Sequence, residues 1–121
     1  MMGKGVSGLH HYMNKDMRHM VLKLMLLRKI KGGKTYSYAL IKEFGNAKIS
    51  SLLQKDYGDV KNDIYNTIKV LEESGYIKAK AEMGGTRFKK YYTITRSGRA
   101  ALAQTKRLFM DSMKGLMQIL K

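Results

Sequence analysis

The sequence predicts a mainly α-helical winged helix-turn-helix domain with a small β-hairpin, followed by a long C-terminal helix. Three observations predict it. Apolar residues recur at helical spacing in three successive segments. The spacing then switches to strict alternation over two short runs joined by Gly84-Gly85, and it returns to helical spacing from about Thr95 to the end. At 121 residues and 44% hydrophobic content, the chain suits a single domain with a real core. Residues 1–13 read as an N-terminal arm, 14–96 as the winged-helix domain and 97–121 as a dimerisation helix.

Proline is absent, so glycine supplies the punctuation. The first helix is expected from Asn14 or Asp16, either able to cap it, to Lys31, with Met17, Met20, Val21, Leu24 and Leu27 on one face. Gly32-Gly33 ends it. Thr35 or Ser37 would cap a second helix, in which Leu40, Ile41 and Phe44 face the core before Gly45-Asn46 closes it. The stretch Ala47 to Gly58 is ambiguous; Ile49, Leu52 and Leu53 resemble one apolar turn. Asp59 is expected to cap a third helix running to Ser74, with Gly75 placed for a left-handed stop. Ile77, Ala79, Ala81 and Met83 then alternate with Tyr76, Lys78, Lys80 and Glu82 as a half-buried strand. After the turn Gly84-Gly85-Thr86-Arg87, a second strand puts Tyr92 and Ile94 on one face and Tyr91, Thr93 and Thr95 on the other. Thr95 or Ser97 starts the last helix, roughly 36 Å long at 1.5 Å per residue.

Charge narrows the class of partner. Twenty-four Lys and Arg stand against nine Asp and Glu, a formal +15. Such a chain repels itself unless a polyanion is present. Eight bases fall in Met1–Thr35 against Asp16 alone, and seven in Tyr76–Arg99 against Glu82 alone, whereas Tyr36–Gly75 carries five bases and six acids. Two cationic segments therefore flank a more discriminating one.

The third helix separates cleanly into two faces. Val60, Ile64, Ile68 and Leu71 form the core stripe. Asn62, Asn66 and Lys69 lie nearly opposite, with Lys61 and Tyr65 on the shoulders. Asn pairs bidentately with adenine, Lys donates to guanine acceptors, and Tyr reaches a phosphate or a thymine methyl. The helix N-terminus presents free N–H groups to a phosphate. Glu72 and Glu73 would be repelled at the other end, so only the first turns should enter a groove. Taken alone, this pattern equally describes a solvated polar face; the hairpin beside it weighs for nucleic acid. There, Arg87, Lys89 and Lys90 crowd the tip beside two glycines and would hold the phosphate backbone or enter a minor groove, as Lys61 would on the helix and Lys34 and Tyr36 at the start of helix two. The plainer role for such lysines is to protect a sheet edge from aggregation.

Several of these segments resemble the PadR family of bacterial and archaeal regulators. The likeness rests on Ile64-Tyr65, on Val70-Leu71-Glu72-Glu73-Ser74-Gly75-Tyr76-Ile77, on Lys89-Lys90-Tyr91-Tyr92-Thr93-Ile94-Thr95 with Gly98-Arg99, and on Tyr36-Ser37-Tyr38-Ala39-Leu40. It spans roughly Met17 to Leu102. Asn66 stands where the family has Pro, the Pro and Gly before the helix-two Tyr are missing, and Phe109 takes the place of a Trp in the last helix. The resemblance implies a homodimer that represses a promoter, in some relatives released by a small aromatic ligand or drug. The substitutions leave the fold and DNA binding intact as expectations and lend no support to an effector.

In the last helix Leu102, Phe109 and Leu116 recur at sevens, with Met113 and Leu120 on the same side. Leu108, Met110, Met117 and Ile119 widen the apolar surface beyond one stripe. One small domain cannot cover so broad a face, so a second copy is the expected partner.

Other chemistries find little support. There is no Cys, hence no disulfide, thiolate metal site or thiol nucleophile. His10, His11 and His19 lack carboxylate partners beyond Asp16, so no metal is expected. Gly33-Lys34-Thr35 lacks the glycine and preceding strand of a phosphate-binding loop. No nucleophile, base and orienter stand at recognisable spacing, so no enzyme and no cofactor are expected. The longest apolar run, Met20 to Leu27, is broken by Lys23 and too short for a bilayer. With no secretory signal at the start, a cytoplasmic location is the expectation. Glu82 reads as a surface partner of Arg87. The expected function is a sequence-specific double-stranded DNA-binding regulator, a homodimeric repressor. The alternative is a basic architectural protein that coats DNA or RNA regardless of sequence.

Overall fold

The computed structural model describes residues 15–46, 49–50 and 57–121. Among the described residues, four helices and three strands with both ends defined run in the order α1 (Lys15–Lys31), β1 (Thr35–Tyr36), α2 (Ser37–Phe44), α3 (Tyr57–Glu73), β2 (Ile77–Gly84), β3 (Arg87–Ile94) and α4 (Arg96–Leu120). The expected class holds, with one correction. The sheet has three antiparallel strands, ordered β1-β3-β2, rather than two. Thr35 pairs with Tyr92 and Tyr36 with Tyr91. Because Thr35 and Tyr36 are drawn into this extended pairing, neither Thr35 nor Ser37 caps α2. Tyr36 is its N-cap, without a side-chain hydrogen bond, and Ser37 is its first helical residue.

The core lies where α1, α2, α3, α4 and the base of the sheet meet. Leu26, Leu27, Leu40, Val60 and Ile64 are sealed from solvent there, and Leu22, Ile30, Leu71 and Ile77 are nearly so. Each such side chain is worth about 2 kcal/mol of burial. On α3 the observed inner stripe is the expected one. On α1 it is so only in part. Val21 and Leu27 are buried as expected, but Met17, Met20 and Leu24 are only half-buried, and Leu22, Leu26 and Ile30 are buried beside them. α1 packs against α4, α3 and β3, and a helix that meets several neighbours, with its central stretch Met20 to Leu27 apolar but for Lys23, gives periodicity no single face to select.

Two helix ends decide how the site is held. α3 stops in a Schellman arrangement: Gly75 sits at φ +77°, its N–H donates to the Glu72 carbonyl, and the Tyr76 N–H donates to the Leu71 carbonyl. The left-handed stop expected at Gly75 is present. At its other end α3 begins at Tyr57, so Asp59 is not the cap but an acid in the first turn, favourable to the helix dipole. Thr95 caps α4, its Oγ1 accepting from the Gly98 N–H. Of the segment Ala47 to Gly58, residues 47–48 and 51–56, including Leu52 and Leu53, lie outside the described residues. Ile49 packs on the core.

The hairpin outruns the core. Ile77 and Tyr92 are buried and Ala79 half-buried, but Ala81 and Met83, expected on the buried face, are exposed. Nothing among the described residues lies under the outer half of the ribbon for them to pack against.

Candidate nucleic-acid interface

α3 and the hairpin stand side by side and face solvent together. On α3, Lys61, Asn62, Asn66 and Lys69 are exposed and Tyr65 is 47% exposed, all opposite the buried Val60–Ile64–Ile68 stripe. A hollow of about 570 Å³ separates helix from hairpin, lined by Tyr65, Lys69, Glu72, Lys90 and Tyr92 among others. Lys61 and Lys69 have no carboxylate partner among the described residues.

The hairpin is built for projection. Every residue from Ile77 to Gly84 pairs with its partner from Ile94 to Arg87, and a two-residue turn, Gly85-Thr86, closes the ribbon. Gly85 takes φ +68°, the left-handed conformation that such tight turns require. Arg87, Lys89 and Lys90 are all exposed on this arm.

The cations differ sharply in what they already touch. Lys34 Nζ donates to Glu82 Oε1 at 2.7 Å and lies 4.9 Å from the Tyr91 ring centroid. Lys89 Nζ lies 4.9 Å from the Tyr36 ring, and that ring stacks on Tyr38 and meets Tyr91 edge-on. Lys90 Nζ donates to Glu72 Oε1 at 3.3 Å and lies 5.7 Å from the Tyr92 ring. Arg87, like Lys78 and Lys80 further down the ribbon, has no such contact among the described residues. The expected Glu82–Arg87 pair is therefore corrected: Glu82 belongs to Lys34. Glu82 and Gly84 lie on one face of β2, but Arg87 opposes Gly84 at the tip, whereas Lys34 approaches from the loop before β1.

Both paired lysines are held above the ordinary lysine pKa. Lys34 is raised mainly by its hydrogen bond to Glu82 and by that carboxylate's charge, and Lys90 mainly by its hydrogen bond to Glu72. A raised pKa means the pairing is fully present at neutral pH. On the lysine side it is lost as alkaline pH strips the ammonium proton. These pairs sit in solvent, so their role is to orient rather than to stabilise.

Sequence reasoning missed four contributors: Glu72, Glu82, Tyr38 and Tyr91. Glu72 ties the hairpin to the end of α3, Glu82 ties it to the α1–β1 loop, and Tyr38 and Tyr91 enclose Tyr36. The Tyr-x-Tyr spacing at Tyr36 and Tyr38 was the available signal. Which acid meets which base is a tertiary fact.

On α4, Leu102 packs in the chain's own core and Leu116 is buried as well. Phe109 and Met113 are half-buried. Leu108, Met110, Met117, Ile119 and Leu120 are more than half exposed. Among the described residues no helix is long and apolar enough to cross a membrane, and no cluster of three His, Cys, Asp or Glu could hold a metal.

Comparison with known proteins places this geometry. Residues 26–104 match the transcriptional regulator PadR-like family. The chain is similar over 98% of its length to a PadR family transcriptional regulator from Eggerthella lenta, covering 97% of that chain at 20% identity and a TM-score of 0.69. A PadR family transcription regulator from Clostridium difficile is similar over 83% of this chain and 98% of its own, at 19% identity and a TM-score of 0.62. These two likenesses show the fold. Bacillus subtilis PadR, solved in complex with operator DNA, is 27% identical over 69% of this chain and 45% of its own, with a TM-score of 0.54. No curated protein gives a significant match.

Proposed function

Because the chain belongs to the PadR-like family of transcriptional regulators, we propose that it is a homodimeric repressor that binds double-stranded DNA in a sequence-specific way. One observation carries the reading: the amides of Asn62 and Asn66 are exposed on the outer side of α3 with Tyr65 and Lys69, and Tyr65 and Lys69 border the hollow between α3 and the projecting cationic ribbon. The amides and Lys69 address base edges in the major groove, and Tyr65 reaches a phosphate or a thymine methyl. Lys61 and Arg87, with no carboxylate partner among the described residues, take phosphates. Lys89 and Lys90 do so from positions set by Tyr36 and Glu72. Lys34 and Tyr36 act chiefly on the ribbon, Lys34 through Glu82 and Tyr36 through Lys89, rather than on the duplex. Bacillus subtilis PadR, seen with its operator, supports duplex DNA as the partner.

The exposed apolar side chains of α4 support a second copy as the other partner. A two-fold pair presents two reading helices to a palindromic site.

Two substitutions test the division of labour. Arg87→Ala should weaken binding to every duplex and lower the slope of log affinity against log salt by about one unit. Asn66→Ala should instead narrow the gap between operator and random duplex by about 1–3 kcal/mol, with the salt slope kept. Titrations of both against operator and random DNA at several salt concentrations make the comparison. A parent protein that prefers no sequence would favour the architectural reading, to which the +15 charge also lends itself.

A further inference from the structure

The outermost cross-strand pair of side chains on the ribbon is apolar, and nothing among the described residues covers it. Met83 and Phe88 are register partners, and directly opposed residues in an antiparallel ladder project from the same face. Phe88 is 73% exposed and Met83 59%. Further down the same face come Lys90, then Tyr92 and Ile94, opposite Ala81, Ala79 and Ile77. That face begins as core and ends in water. Its direction is fixed by Lys90, whose Nζ reaches Glu72 at the C-terminal end of α3. The Met83–Phe88 pair therefore stands out on the side of the ribbon that looks toward the reading helix.

Its surroundings are cationic. Lys90 shares the face of Phe88, while Arg87 and Lys89, its neighbours in sequence, project from the other face of the tip together with the ribbon's one acid, Glu82, which is neutralised by Lys34. An aromatic ring and a thioether at the end of a cationic ribbon suit a polyanion that offers apolar surface only once entered. Duplex DNA meets that description: phosphates line its grooves, and the faces of its bases become accessible when a step unstacks.

We propose that Phe88, supported by Met83, is a wedge that enters the minor groove and partly unstacks one base step in each half-site, bending the DNA. The proposal rests on the reading of the chain as a duplex-binding protein. The cations deliver the tip to the groove, and the ring replaces lost base stacking with its own. Since pyrimidine–purine steps unstack most readily, the wedge selects for them without a hydrogen bond to any base. It adds a second source of specificity to the amides of α3.

The test uses the full chain and a duplex chosen by selection from random sequence. Bending is read from energy transfer between dyes at the duplex ends, and unstacking from 2-aminopurine placed at successive steps. The parent protein should bend the duplex by about 20–90° and brighten 2-aminopurine at one step per half-site. Phe88→Ala should lose most of both signals and bind about ten-fold more weakly, with an unchanged salt slope because no phosphate contact is removed. Its melting temperature should stay that of the parent, since the ring is exposed. A parent protein that binds its selected site without bending or unstacking it overturns the wedge and leaves the DNA-binding reading intact. So does Phe88→Ala with undiminished signals, or a change of oligomeric state on that substitution without DNA, which would seat the tip against a second copy. Failure of the parent to bind any duplex overturns the underlying reading.

Discussion

Replacing Gly98 by alanine is expected to lower the melting temperature by about 12 °C, or to prevent folded protein from accumulating. A Cβ at this position would overlap the backbone carbonyl oxygen of Tyr76 and lie 2.8 Å from Ile94 Cγ1. Neither neighbour can give. The Tyr76 carbonyl accepts from the Thr95 N–H at 3.0 Å and from Thr95 Oγ1 at 3.1 Å. Thr95 Oγ1 and Ser97 Oγ also reach the Gly75 carbonyl, at 2.7 and 3.0 Å. This knot joins the end of α3 to the start of α4, and Gly98 closes it from the helix side. Overpacking against backbone sits at the upper end of its usual range, about 3 kcal/mol. At about 4 °C per kcal/mol for a chain of this size, that gives the expected shift. Gly115 on the same helix provides the contrast. A Cβ there meets nothing within 4 Å among the described residues, so Gly115→Ala should stabilise by about 0.5–1 kcal/mol through helix propensity. Opposite signs from one chemical change, read by thermal melts followed by circular dichroism, would establish the knot. Equal shifts would remove it.

The contrast between α3 and α1 shows what was legible in the sequence. α3 buries one stripe and exposes the other, so spacing alone identified Val60, Ile64, Ile68 and Leu71, and Gly75 marked the end. α1 has several packed neighbours, and although Val21 and Leu27 were identified, the buried Leu22, Leu26 and Ile30 were indistinguishable by period from Met17, Met20 and Leu24. β1 is two residues long, too short to carry an alternation, and exists only because β3 offers it an edge. The exposed polar face of α3 and the basic ribbon were visible for the same local reason that the buried stripe of α3 was. Their coupling was not. Lys34 and Glu82 are 48 positions apart and Lys90 and Glu72 are 18 apart, so no local pattern links them, and the nearer Arg87 was the natural partner for Glu82 on sequence alone. The family motifs around Lys89–Thr95 and Gly98 mark the same junction that the geometry shows to be crowded.

Ile119→Glu combined with Leu120→Glu should convert the protein to a monomer and cost at least about 100-fold in operator affinity, while leaving the protomer folded. The two side chains are 66% and 63% exposed, so the chain itself loses almost no packing on their replacement. Leu102→Glu would be a poor choice for the same purpose, because Leu102 belongs to the intrachain core and its loss would unfold the domain. In a two-fold pairing through α4, each added carboxylate is repeated by symmetry, and burying charges of one sign without partners is strongly unfavourable. Separation removes the link between reading helices. The second half-site is then bound from solution rather than at the high local concentration a tether provides. Affinity for an isolated half-site should therefore be unchanged, and only the full palindrome should suffer. Sedimentation equilibrium and parallel titrations of half-site and full site distinguish the cases. A variant that stays dimeric would move the interface away from the end of α4. A monomer that still binds the full site as tightly as the parent would mean that one reading helix, with its ribbon, is sufficient.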